Sequence, residues 1–182
     1  MVVVGVLGSW GAGKSSLTMR YFQDVFMEEY DPTIEDYYTK QISHNKILYQ
    51  LNILDMGGGE DISACRDNIL QKSEGSLLVY SITNLSTFEY IEAHFQRQIV
   101  RNKLLEKAYT IFLVGCKCDL EHRRKVSLQE GKELASKYGW AFYETSALLG
   151  HNTSDVFVDM VASIIEKRCE KSKRKSSSCI MF

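Results

Sequence analysis

The sequence predicts an α/β domain: a mostly parallel, six-stranded sheet with one antiparallel edge hairpin and helices on both faces. Three observations predict it. Short apolar runs alternate with segments of helical period along the whole chain, the pattern of a parallel sheet with crossover helices. Two of the strand-like runs are joined by a short turn, "HNK" 44–46, which makes them a hairpin. The length, 182 residues with a single proline, suits one compact domain of about 150–170 residues and a short tail.

The elements follow in order. Val2–Leu7 is a continuous apolar run that reads as a buried strand, and it feeds a glycine-rich loop and a helix over Lys14–Asp24. Asp31–Asp36, with Pro32, is irregular. Tyr37–Ser43 and Leu48–Asp55 are the hairpin strands. "GGGED" at 57–61 interrupts regular structure, and 62–71 forms a short helix. Ser76–Ile82 is an apolar strand. Ser86–Asn102 places Phe88, Ile91, Phe95, Ile99 and Val100 at helical spacing. Thr110–Gly115 is a strand, and Leu128–Tyr138 a helix with Ser127 as N-cap and Glu130 completing a capping box. Trp140–Tyr143 is a short strand. The last helix, Thr153–Cys169, carries Val156, Phe157, Met160, Val161, Ile164 and Ile165 on one stripe.

A net charge of −1 conceals an asymmetry. Residues 167–175, "KRCEKSKRK", hold six Lys/Arg against one Glu, so the rest of the chain carries −6. The organisation expected is a globular domain over 1–168 and a basic, flexible tail over 169–182. The five cysteines are odd in number and lack the spacing of a disulfide framework, and Cys116-x-Cys118 is too close for the usual zinc pattern. A reducing compartment is the default. "MVVVGVLG" has no basic leader and meets glycine after four residues, too short for a signal or a spanning helix.

Ligands of such sheets bind beyond the carboxyl ends of the strands. That directs attention to 8–15, 55–60, 116–119 and 144–147. Gly8-x-x-x-x-Gly13-Lys14-Ser15 fits the phosphate-binding Walker A pattern, with a strand before it and a helix after it. Backbone N–H groups of Ser9, Trp10, Gly11, Ala12 and Gly13 and the helix N-terminus at Ser15 and Ser16 suit phosphate oxygens. Gly8 and Gly13 allow close backbone approach. Lys14 supplies a point charge, and the Ser15 hydroxyl is a Mg²⁺ ligand candidate. The competing reading is a glycine-rich turn with a chance lysine; the flanking strand and helix argue against it.

With that loop, "YDPTIED" (30–36), "LDMGGGED" (54–61), "GCKCDL" (115–120), "ETSA" (144–147) and the terminal "CIMF" (179–182) stand in the order and spacing of a Ras-like small GTPase. The chain resembles that family over essentially its whole length, nearer the Ras and Rap branch than others. The resemblance implies a P-loop NTPase fold of the small G-protein type that binds GTP or GDP with Mg²⁺. It implies that Thr33 binds Mg²⁺ through its hydroxyl and the γ-phosphate through its N–H, with Tyr30 and Pro32 beside the nucleotide. Asp55 would hold Mg²⁺ through water, and Gly58 would offer its N–H to the γ-phosphate. Phe26 would pack on the guanine, Lys117 would lie along the base and steady the phosphate loop, and Asp119 would accept from guanine N1 and N2. Ser146 and Ala147 would close the base pocket. Taken singly, Phe26 reads equally as a core aromatic and Asp119 as a helix-flanking acid.

Four positions depart from the family. Gly59 stands where the family usually has the Gln that orients the attacking water, so the catalytic set reduces to Lys14, Thr33 and a vacant position 59; a partner supplying the missing group, as in the Rap branch, is the alternative. Trp10 replaces a glycine beside the γ-phosphate, filling the space where an activating protein inserts an arginine, which in the family contributes about 10³–10⁵ in rate. Cys116 replaces an Asn whose amide ties the base to neighbouring loops. A thiol is a poorer donor and acceptor; losing one or two such bonds costs about 1–3 kcal/mol, roughly 5–150-fold in affinity. Leu148 replaces a lysine at the edge of the base.

The reading is a membrane-attached switch, slow to hydrolyse GTP and fast to exchange it. Tyr30, Asp31, Pro32, Thr33, Ile34, Glu35, Asp36, Tyr37 and Tyr38 would present an acidic effector surface beside a strand edge, suited to basic Ras-binding-type domains. "CIMF" fits C-a-a-X with Cys179 as the lipidated residue. One lipid anchors weakly, and the basic residues of 167–175 supply a second signal of about 1 kcal/mol each at an anionic leaflet. The expected location is the cytoplasmic face of the plasma membrane. Expected partners are guanine nucleotide, effectors, an exchange factor, a prenyltransferase and the anionic membrane surface; nucleic acid is not expected, and the protein would be a monomer. A binding-only scaffold that never cycles is the alternative. An adenine-nucleotide kinase is disfavoured by Asp119 and by the lack of a lid domain.

Overall fold

The computed structural model describes residues 1–24, 26, 35–56, 63–101 and 109–178, with the side chains of 35–36, 56, 63–66, 94–101 and 174–178 excepted. Its elements are β1 (Val2–Leu7), α1 (Lys14–Gln23), β2 (Glu35–His44), β3 (Ile47–Met56), α2 (Ser63–Lys72), β4 (Gly75–Ser81), α3 (Leu85–Arg101), β5 (Thr110–Cys116), a 3₁₀ segment (Cys118–Arg123), α4 (Leu128–Tyr138), β6 (Ala141–Thr145) and α5 (Thr153–Ser178). The strands form one six-stranded sheet in the order β2-β3-β1-β4-β5-β6. Only β2 and β3 pair antiparallel, in register from Glu35 opposite Met56 to His44 opposite Ile47. The turn between them is Asn45-Lys46, both left-handed (φ 50° and 64°), the backbone that closes a two-residue hairpin. The sequence expectation of six strands with one edge hairpin therefore holds.

β1 is central and its side chains alternate between two cores. Val2, Val4 and Val6, fully buried, face Leu17 and Tyr21 of α1 and Val156, Phe157 and Met160 of α5. Leu7 turns to the other face with Ile69, Leu78, Tyr80, Ile91 and Leu134. Burying each such aliphatic side chain favours folding by about 1.5–3 kcal/mol. Tyr21 stacks on Phe157 at 4.4 Å, which docks α1 on α5. The Ser127 hydroxyl accepts from Glu130 N at 3.1 Å and the Glu130 carboxylate accepts from Ser127 N at 2.7 Å, the reciprocal box read from the sequence at the start of α4.

α5 differs from expectation in length. Its apolar stripe runs out at Ile165, yet the helix continues to Ser178, nine residues past Cys169. After Gly150 the sequence contains neither glycine nor proline, and Lys and Arg are good helix formers, so nothing stops it. Arg168 fastens this part of the helix to the domain by donating to both Glu74 carboxylate oxygens and to the Met1 carbonyl at 2.7 Å.

Candidate functional site

The loop of residues 8–13 joins β1 to α1 and sits at the carboxyl end of the sheet. Gly8 passes so close to β4 that a Cβ there would lie 2.2 Å from the Val79 carbonyl oxygen. Gly13 has φ 103°, and a Cβ would meet Cys116 Cβ at 2.9 Å. Both positions are therefore held to glycine by backbone geometry and space. Lys14, the first residue of α1, is 5% exposed, and its Nζ donates to the Ser9 carbonyl at 2.9 Å. Burial pushes this ammonium below the ordinary lysine range, against the opposing pull of the Asp55 carboxylate. On the other side, Lys117 Nζ donates to the Gly11 carbonyl at 3.0 Å. Two loop carbonyls thus accept from ammonium groups, which fixes the course of the loop.

Trp10, at the loop tip, is 63% exposed. Ala12 is fully buried, and Ser9, Gly11, Gly13, Ser15 and Ser16 are partly exposed along the loop and the start of α1. Asp55, next to last in β3, is fully buried opposite Val6 of β1. Its carboxylate and the Ser15 hydroxyl are hard oxygen donors of the kind Mg²⁺ takes, near enough to Lys14 for the Asp55 charge to act on it. Among the described residues no group of three or more His, Cys, Asp or Glu gathers. The bound ion would neutralise charge on the phosphates.

The second half of the site is built by the segments after β5 and β6. Lys117 adopts a left-handed backbone (φ 67°) that turns the chain into the 3₁₀ segment bearing Asp119. Ser146 Oγ donates to Asp119 Oδ1 at 2.5 Å and accepts from Leu149 N at 3.1 Å. Backbone bonds between Ser146 and His151 close the loop that carries Ala147. Cys116 is 4% exposed. Its Sγ lies 3.4 Å from Thr145 Oγ1 and 3.9 Å from the Gly13 carbonyl. Burial pushes this thiol up to about 11, so it stays neutral. Phe26 is half-buried, and Leu148 is 49% exposed.

The structure thus brings Gly8–Ser16, Asp55, Cys116, Lys117, Asp119, Ser146 and Ala147 to one end of the sheet. Tyr30, Asp31, Pro32, Thr33, Ile34, Gly58, Gly59 and Cys179 lie outside the described residues, as do the side chains of Glu35 and Asp36. Tyr37 is 63% exposed, and Tyr38 is half-buried against Phe22 at 5.3 Å. They lie on β2, an edge strand of the sheet. A cavity of about 480 Å³ at the opposite end, between Tyr109, Tyr138, Trp140 and Lys167, contains none of these groups.

Sequence reasoning missed Arg124 and Glu144. Arg124 donates to Glu144 at 2.7 and 2.8 Å and to Glu121 at 2.6–2.9 Å, which holds it strongly in the charged form. The Glu121-x-x-Arg124 spacing could have flagged half of this cluster; nothing local marks Glu144 as its other partner.

A family model described as the Ras family matches residues 2–166. Over 170 residues, 93% of this chain and 85% of the relative, the sequence is 41% identical to "Ras-like protein 2" of Mucor circinelloides f. lusitanicus. A phosphate cradle after β1, a buried aspartate near the end of β3 and an aspartate–serine pair after β5 and β6, together with these matches, identify the chain as a member of the Ras family, the GTP-binding switches that take guanine nucleotide with Mg²⁺ and hydrolyse GTP.

Proposed function

We propose that this chain is a membrane-attached switch that stays loaded with GTP because hydrolysis, intrinsic and activator-stimulated, is very slow, while spontaneous exchange is fast. The observation that carries the reading is the side chain of Trp10, 63% exposed at the tip of an otherwise complete phosphate cradle. Backbone N–H groups and Lys14 do the binding, so the indole leaves loading intact. It stands where an incoming arginine would have to reach, and Gly59 has no side chain with which to orient water. Fast exchange follows from the thiol at 116, whose sulfur contacts replace the amide bonds that the family's Asn makes.

The exposed edge strand β2, with Tyr37 on its surface, supports effector docking by strand addition to an acidic segment. Basic residues on the last turns of α5 and the C-a-a-X pattern at Cys179 support attachment to an anionic cytoplasmic leaflet.

The test is a single-turnover GTP hydrolysis assay on purified protein, with and without a Ras- or Rap-directed activator. Turnover far below family rates in both arms is expected. Activator-stimulated turnover at family-typical rates would overturn the reading. Protein that purifies empty and ignores added GTP and Mg²⁺ would instead favour the non-cycling scaffold.

A further inference from the structure

Beyond the β5–β6 ladder, which pairs Gly115 with Glu144 and Cys116 with Thr145, side chains join the segments 116–124 and 144–147 in three places. Ser146 Oγ bonds Asp119 Oδ1 at 2.5 Å. Cys116 Sγ touches Thr145 Oγ1 at 3.4 Å, a weak sulfur contact. The third join is Arg124. Its Nη1 donates to Glu144 Oε1 at 2.7 Å and to the Val126 carbonyl at 2.9 Å, and its Nη2 donates to Glu144 Oε2 at 2.8 Å. A second set of bonds runs back to Glu121 on the segment that carries Asp119. Arg124 and Glu144 are 16% and 13% exposed, whereas Glu121 is 69% exposed. Both arms engage two carboxylate oxygens, but the arm to Glu144 is the shielded one; the exposed arm to Glu121 holds less firmly. Glu144 is itself fixed: its carbonyl accepts from Asn152 Nδ2 at 2.8 Å, which anchors the return of the Ser146 loop.

We propose that Arg124 is a positioning residue for guanine recognition: its fork onto Glu144 sets Asp119 against the Ser146 loop and bears the tie that the thiol at 116 makes only weakly. The planar guanidinium fixes direction as well as distance, which a lysine ammonium at the same place does not. The inference rests on Asp119 being the group that reads guanine. A carboxylate held in one place accepts from both the ring N–H and the exocyclic amine of guanine. A carboxylate free to rotate gains less from the second donor. Inosine lacks that amine, so the preference for GDP over IDP reports how well Asp119 is held, which overall stability does not.

The experiment measures release of fluorescent GDP and IDP, at fixed Mg²⁺, from the full chain and from Arg124→Lys, Arg124→Gln and Glu144→Gln, each also in a Cys116→Asn background. Arg124→Gln should speed GDP release about tenfold or more, within the range of coupled neighbours. IDP release should change less, so that the preference falls at least about threefold by the same coupling. Arg124→Lys should fail to restore it. In the Cys116→Asn background the effect of Arg124→Gln should shrink, because a second tie is present. Equal acceleration of GDP and IDP with a lowered melting temperature would reduce the fork to a fold-holding ion pair. An effect unchanged by Cys116→Asn would remove the shared-tie part. Should Arg124→Gln not fold, Glu144→Gln, an isosteric change, gives the same readout. If the unaltered chain releases GDP and IDP equally, Asp119 does not read guanine, and this proposal falls with that premise, whatever Arg124 does to stability.

Discussion

The two halves of the nucleotide site are built from different material. The phosphate half is main chain: a loop fixed by Gly8 and Gly13, with Lys14 and Lys117 holding its carbonyls. The base half is side chain on side chain: Ser146 on Asp119, Cys116 on Thr145, Arg124 on Glu144. Binding by the main chain is indifferent to the side chain it carries, so the loop accommodates a tryptophan without losing its geometry. Binding by side chains has no such tolerance, and a single change at 116 reaches the loops on both sides. A substitution at the exposed tip of the first half should alter catalysis and spare affinity; one in the second half should alter affinity and spare the chemical step.

The sharpest way to break this contrast is Trp10→Gly combined with Gly59→Gln. Activator-stimulated hydrolysis should rise about 10³-fold or more, the scale of an arginine finger in the family, while nucleotide affinity stays within about threefold, well below the loss of one charged hydrogen bond. Single-turnover rates and equilibrium titration with fluorescent GDP read the two quantities separately. Next is Lys14→Met, which removes the buried ammonium that the phosphate loop itself carries and so departs from the tolerance of the tip. Affinity should fall about 100-fold, the upper range for a bond to a charged group. Cys116→Asn tests the other half: GDP release should slow about tenfold, with hydrolysis from the loaded state unchanged. The smallest effect belongs to Leu148→Lys, at a position 49% exposed; release should slow about twofold, as befits a solvent-screened contact. A large affinity change from the Trp10 variant, or a large rate change from the Cys116 variant, would dissolve the division.

Much of the fold was legible because strong local signals agreed with the tertiary solution. β1 begins and ends where its apolar run does, and α4 spans Leu128–Tyr138 between its capping box and Gly139. The hairpin was marked by its short turn. The end of α5 was not, because the apolar stripe reports packing and the helix outlasts its packing. The 3₁₀ segment after β5 depends on the left-handed turn at Lys117, a conformation no residue type there announces. The phosphate loop was readable because its glycines are a local backbone requirement. Arg124 and Glu144 were not, since they meet only after β5 and β6 pair and bring positions twenty residues apart together.

The continuation of α5 has a mechanical consequence. From Cys169 to Lys173 every residue is exposed, and the ten residues to Ser178 make a rod of about 15 Å at helical rise. Arg168 ties the base of that rod to the body, so a rod that stays helical turns with the molecule. A lipid carried just beyond its tip would then hold the β2 edge at a set angle to the bilayer, as a bracket holds a shelf.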